Sequence, residues 1–201
     1  MNRRFAALIV VLCLVAATAA PNALGACWEV VPQQSRLVFT ASQAGGTLQG
    51  HFNDYSGRIC TPAEDRTPSP IQASVDLASV QTELPELDEA LRGSDFFDVA
   101  RWPKALFEGE VVRGLDDNGY EVTGILELRG VRREITAPLT LRPDADELHA
   151  SLRTSLTIGR LDYGIGQGEW LDTKWVGDPV EVGLTATLVP ALDSNAPTTT
   201  K

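Results

Sequence analysis

From Ser35 onward, apolar and polar residues alternate with period two in a succession of short runs. One set reads Ser35, Leu37, Phe39 and Ala41, the next Leu48, Gly50 and Phe52, and the third Ile71, Ala73, Val75 and Leu77. Ala105, Phe107, Gly109 and Val111 follow, then Tyr120, Val122, Gly124, Leu126 and Leu128, then Ile135, Ala137, Leu139 and Leu141. Leu148, Ala150, Leu152, Thr154 and Leu156, and finally Val180, Val182, Leu184, Ala186 and Leu188, complete the series. Period two with one apolar face marks a half-buried antiparallel strand. Turn signals separate the runs at Ala44-Gly45-Gly46, Asp117-Asn118-Gly119 and Arg129-Gly130. Eight one-sided strands in sequence predict an all-β fold, an antiparallel up-and-down barrel. A short helix interrupts it between strands 3 and 4. Pro85 opens the helix, Glu86, Asp88 and Glu89 suit its first turn, Arg92 suits its last, and Gly93 stops it. Leu87 and Leu91 share one helix face and can lie across a barrel mouth.

An eight-stranded barrel is just wide enough to be filled by side chains or to hold one small ligand. Large residues on the inward set (Phe39, Phe52, Phe107, Tyr120) mix with small ones (Ser35, Gly50, Ala73, Gly109, Gly124, Ala137, Ala150). Almost no charge points inward. The expectation is unfilled space with an apolar lining, suited to an apolar ligand. The alternative is that the small residues only accommodate taper and bends. The candidate lining is Leu37, Phe39, Phe52, Val75, Phe97, Phe107, Val122, Leu126, Ile135 and Leu152.

The chain begins with Arg3 and Arg4, an apolar run from Phe5 to about Ala20, and small residues at Ala23-Leu24-Gly25-Ala26. This reads as a secretory signal peptide over residues 1–26. The barrel is expected over 27–189 and a polar, disordered tail over 190–201. Net charge is −10 for the whole chain, and loss of the two arginines with the signal takes it to −12. So acidic a chain lacks the footprint of a nucleic-acid binder. Export leaves two cysteines, Cys27 and Cys60, at the ends of the first hairpin. Simple pairing about the hairpin turn puts position 27 opposite roughly position 62, so a two-residue slip or one bulge would bring Cys27 beside Cys60 for a disulfide. The competing reading takes Leu24-Gly25-Ala26-Cys27 as a lipobox, with Cys27 lipidated and the protein anchored as a lipoprotein.

Several stretches go beyond pattern. Trp28-Glu29-Val30-Val31-Pro32 precedes Ser35-Arg36-Leu37-Val38-Phe39, and Gly50-His51-Phe52 precedes Ser56-Gly57. The fullest runs from Leu91-Arg92-Gly93-Ser94-Asp95-Phe96-Phe97-Asp98 into Trp102-Pro103-Lys104-Ala105-Leu106-Phe107-Glu108. Gly124 to Val131, Arg160-Leu161-Asp162-Tyr163-Gly164-Ile165 and Val176-Gly177-Asp178-Pro179-Val180-Glu181-Val182 complete the set. In this order and spacing the chain resembles the YceI-like family over about residues 27–188. The resemblance implies a lipocalin-like barrel, commonly periplasmic, that holds polyisoprenoids such as an isoprenoid quinone or a prenyl phosphate. It implies no agreed catalytic residues. No cofactor is expected beyond a bound isoprenoid lipid or quinone, and a membrane-protein partner stays open. The cysteine pair is not general to the family.

Candidate chemistry is sparse. Both histidines, His51 and His149, fall on outward positions, and no metal-ligand spacing appears. Ser56 lacks a nucleophile elbow, and the glycine-rich run from Gly159 to Gly168 is not followed by a helical pattern. The expectation is a binding protein and no enzyme. Arg160, in the loop before Trp170 and Trp175, is the candidate for contact with a ligand head group, against the plainer reading of a structural or surface ion pair. A second function class stays open: a stress-response or interaction module with a filled barrel and no ligand.

Overall fold

The computed structural model describes residues 27–60, 70–115, 118–144 and 149–191. The signal-peptide reading, residues 61–69 and most of the tail lie outside these residues. Eleven strand segments form one antiparallel sheet: β1 (Cys27–Val30), β2 (Arg36–Gln43), β3 (Gly46–Phe52), β4 (Tyr55–Cys60), β5 (Ile71–Asp76), β6 (Val80–Gln81), β7 (Lys104–Gly114), β8 (Gly119–Leu128), β9 (Val131–Pro143), β10 (Ala150–Gly159) and β11 (Val176–Pro190). A single α-helix, α1 (Pro85–Arg92), interrupts them.

The segments are eight barrel strands, three of them broken in the middle. β11 runs along β2 with its first part and along β1 with its last. β4 pairs with β1 and β3 with β2, while β5 pairs with β4 and β6 with β3. The meander then runs β5–β7–β8–β9–β10–β11, and the β1–β11 ladder closes the ring. This is the eight-stranded antiparallel barrel with one short helix that the alternation predicts.

The breaks have local causes. Pro32 cannot donate to a ladder, and a 3-10 turn at Pro32–Gln34 separates β1 from β2. Ser35 is therefore not a small inward residue leaving space. Its hydroxyl donates to the Val31 carbonyl at 2.7 Å and accepts the Thr187 N–H at 3.1 Å, pinning the kink to β11. The same break carries the register slip. Leu37 pairs with Phe52 above it, and Cys27 pairs with Cys60 below it, two residues off the simple hairpin register. Cys27 and Cys60 form a disulfide, with Cα atoms 3.9 Å apart. A sulfur in a disulfide is not available for the thioether of a lipoprotein.

Two ends of the barrel can now be named. The lower end holds the disulfide, the strand ends at Gly114, Gly119, Pro143 and Ala150, and a core of Ile59, Ile71, Val122, Leu139, Leu141, Ala150, Leu152, Ala186 and Leu188. The upper end holds the β2–β3 and β8–β9 hairpins, α1 and residues 160–175. Both hairpins have two-residue loops with both residues at positive φ (Ala44 47° and Gly45 82°; Arg129 51° and Gly130 72°), as the twist of the flanking strands requires. Among the described residues no ladder joins β6 to β7. The only backbone link there is the Leu77 N–H to the Pro103 carbonyl at 2.9 Å. Helix α1 and the turn after it complete the wall at this gap. Thr82 N–H and hydroxyl both donate to Asp88 at 2.7 Å, and Arg92 donates to the Ala78 and Val80 carbonyls at 2.8 and 2.7 Å. Those bonds fix the helix to the strand it extends.

Candidate functional site

The upper half of the barrel encloses a cavity of about 220 Å³. Its walls come from β2 (Leu37, Phe39, Ala41), the α1 region (Leu87, Leu91, Phe96, Phe97), β7 and β8 (Ala105, Leu126, Leu128), and β10–β11 (Ile158, Val180, Val182). Phe52 and Leu77 complete the inner wall, with Phe39–Phe52 and Phe52–Phe97 ring centroids 5.7 and 5.8 Å apart. A second aromatic pair, Phe96–Trp170 at 5.6 Å, packs where the 160–175 segment crosses the end. The mouth lies among Gln43, Leu48, Leu87, Ala90 and Trp170, which are half-buried or exposed, whereas Phe39, Leu77 and Leu128 are buried inside.

Of the candidate lining, Leu37, Phe39, Phe52, Val75, Phe97 and Leu126 border this cavity. Phe107, Val122 and Leu152 do not: they pack in the lower core. Ile135 is half-buried opposite Gly124 and does not border the cavity. The reason is depth. Alternation tells which face a residue takes, and a strand of ten residues crosses both halves of the barrel on that one face. The candidate lining also left out Ala41, Leu77, Ala105 and Leu128, all on or beside inward positions, and Phe96 and Ile165, which lie in loops where no period signals them.

The inward glycines do not make the space. A Cβ on Gly50 would run into the ring of Phe39, its partner across the β2–β3 ladder. Gly109 and Gly124 face each other across β7–β8, and the ring of Phe107 lies over both, with 2.6 and 2.7 Å to the Cβ positions they lack. These small residues are seats for aromatic rings. Enlarging Gly124 would strike Phe107 and the β7 backbone and would not reach the cavity. Ala137, opposite Val122, is likewise off the lining.

Arg160 borders the cavity yet is only 2% exposed. Its Nε donates to the Gly177 carbonyl at 3.0 Å, Nη1 to Ile165 at 2.8 Å, and Nη2 to Trp170 at 2.6 Å and Val176 at 2.7 Å. Four of its five N–H groups therefore tie the loop that crosses the upper end, at Ile165 and Trp170, to the start of β11, at Val176 and Gly177. Gly166, at φ 84°, lets that loop pass against the guanidinium where a side chain would collide with Nη1. Burial pushes the guanidinium below its ordinary value, and Asp178 pulls it back up. Asp178 itself accepts the Leu161 N–H at 2.9 Å. Arg160 thus staples the roof, with one N–H left over.

Apart from Gln43 and Arg160, the cavity-lining side chains are apolar or aromatic. His51 sits opposite Val38 and Gln81 on the outward set of β3. Among the described residues no three His, Cys, Asp or Glu side chains gather as a metal site would need, and no helix is long and apolar enough to cross a membrane.

A family model for the YceI-like domain matches residues 28–188. The chain belongs to the YceI-like family. Among curated relatives, a UPF0312 protein of Pseudomonas aeruginosa is 30% identical over 122 residues, 59% of this chain and 63% of that relative. A UPF0312 protein of Yersinia pestis is 36% identical over 89 residues, 44% of this chain and 46% of that relative. The matches thus span less than two thirds of those relatives' length. Among solved structures, BcnA of Burkholderia cenocepacia shares the fold with a TM-score of 0.73 at 24% identity, over 79% of this YceI-like chain and 98% of its own. A polyisoprenoid-binding domain from Saccharophagus degradans gives 0.65 at 21% identity, over 84% and 99%. These two likenesses establish the barrel.

Proposed function

We propose that this YceI-like protein binds an apolar isoprenoid-type lipid, such as a prenyl chain or an isoprenoid quinone, and carries it in the periplasm. One observation carries the reading: a cavity open at one end whose lining is apolar except for Gln43 and an arginine already engaged with four carbonyls. Such a site offers a ligand area and shape, and almost no directed polarity. The solved polyisoprenoid-binding relative supports the ligand class. The Cys27–Cys60 disulfide supports an oxidising compartment.

The chemistry follows from burial. Each methylene removed from water contributes roughly 0.8 kcal/mol before ordering costs. A cavity of about 220 Å³ is smaller than the usual small-molecule pocket of about 300–1,000 Å³. It takes a short stretch of a long chain, and the rest leaves through the mouth. Affinity should therefore rise with prenyl length and then level off. Head-group identity should matter little, except through the one spare Arg160 N–H and Gln43. No group in the lining serves as a nucleophile or a general base, so the reading is binding and not turnover. The test is a titration of prenyl alcohols of increasing length against the exported protein. Length-dependent binding that saturates supports the reading. No binding at any length returns the barrel to a ligand-free interaction module.

A further inference from the structure

Three large apolar side chains stand in solvent around the mouth. Leu84 is 59% exposed, Leu171 51% and Trp175 60%. Each adjoins a residue that borders the cavity. Leu84 is the N-cap residue of α1, and its carbonyl accepts the Leu87 N–H at 3.0 Å. Leu171 follows Trp170, and Trp175 precedes Val176. The Trp175 carbonyl accepts the Ala44 N–H at 2.9 Å, which ties it to the tip of the β2–β3 hairpin. The segments that carry them are acidic: Glu83, Glu86 and Glu89 on and before α1, and Glu169 and Asp172 in the crossing segment, are exposed carboxylates, against two cations, Arg92 and Lys174.

We propose that this rim docks the barrel, mouth down, on an electrically neutral lipid bilayer, with Leu84, Leu171 and Trp175 entering the interface. The proposal rests on the reading of the cavity as an apolar-lipid site. Large apolar side chains exposed together among polar groups mark a protein or a membrane contact. A specific protein interface takes about 800 Å² from each partner. Three side chains on three separate elements, in acidic segments, offer far less apolar area than that. A bilayer asks for no matched surface, because each side chain enters on its own, and tryptophan is at home at the lipid–water boundary. The carboxylates fix the sign. An anionic surface would repel them, so the surface that fits is neutral. Seated there, the mouth passes an apolar chain between bilayer and cavity without leading it through water.

The experiment is flotation of the exported protein with phosphatidylcholine vesicles, and with vesicles containing phosphatidylglycerol, at low and high salt. It compares wild type with the double variant Trp175→Ser/Leu171→Ser. Any contribution of the N-terminal apolar run is common to both. Wild type should float with phosphatidylcholine, and the double variant at least about fivefold less. Phosphatidylglycerol should weaken wild-type binding at low salt, and high salt should recover it by screening the carboxylates. Binding of farnesol, measured without vesicles, reads the cavity separately and should agree within about twofold between the two proteins. Flotation that depends on Trp175 and Leu171 supports the rim even where farnesol is not bound, in which case the ligand reading alone falls. Absence of wild-type flotation with phosphatidylcholine, equal flotation of the variant, or preference for phosphatidylglycerol overturns the proposal. The rim then belongs to a protein partner.

Discussion

At the lower end of the barrel, Phe107 lies over Gly109 and Gly124, Leu188 is fully buried, and a disulfide crosses β1 and β4. At the upper end, with the same strands and the same alternation, a cavity of about 220 Å³ remains. The difference follows from how each end closes. Below, ladders run around the ring, and side chains on neighbouring strands meet at close spacing and fill the interior. Above, three strands break, no ladder joins β6 to β7 among the described residues, and the wall is finished by α1, the turn after it, and a loop held by Arg160. The cavity lies where these elements, rather than paired strands, complete the wall.

Four experiments test this contrast. The largest effect is expected at the filled end. Leu188→Ala should cost about 2–5 kcal/mol of stability in a urea melt, while the folded fraction keeps its affinity for prenyl ligands. An equal loss of affinity would show that the two halves are not separate. Next comes the roof. Arg160→Met removes the donor from four carbonyls and should cost about 1–3 kcal/mol. Hydrogen exchange should quicken over residues 160–177 and not in the lower core, and a uniform increase would refute Arg160 as a local staple.

Filling the cavity comes third. Ala105→Phe projects a ring into the upper space from a residue that is 8% exposed. It should weaken prenyl binding about tenfold, or about 1.4 kcal/mol, with less change in melting temperature than Leu188→Ala. Unchanged binding would place the ligand elsewhere. The smallest effect concerns alkali. Burial pushes the phenols of Tyr55 and Tyr163 above the ordinary value of 10.0. The unfolded chain gives up those protons first, so the stability they confer is whole below about pH 10 and is lost as pH rises through the folded values. Urea midpoints should fall as pH rises above about 10, and Tyr163→Phe should flatten part of that fall.

Much of this architecture can be read along the chain. Alternation places Leu37, Phe39, Ala105, Leu126 and Val182 inward because a strand's side chains have no other choice than two faces. Pro85 and Gly93 bound α1 at Pro85–Arg92, although Gly93 sits at φ −68° and needs none of glycine's left-handed freedom. The Cys27–Cys60 pairing is within reach of hairpin arithmetic once a slip is allowed, and Pro32 supplies the break where that slip occurs.

What the sequence determined by itself is the number of strands, their faces, their order and the family, because these follow from local period, turn chemistry and motif spacing. What only the tertiary structure decided is where along the barrel axis the interior is empty. Phe107 and Phe39 obey the same alternation, yet one fills the lower core and the other borders the cavity. The glycines that look like vacancies are covered by rings from strands paired beside them or from their own. Arg160 likewise reads as a head-group contact or an ion pair until the fold brings four carbonyls around it. Volume and hydrogen-bond saturation depend on residues far apart in the chain, so no local pattern contains them.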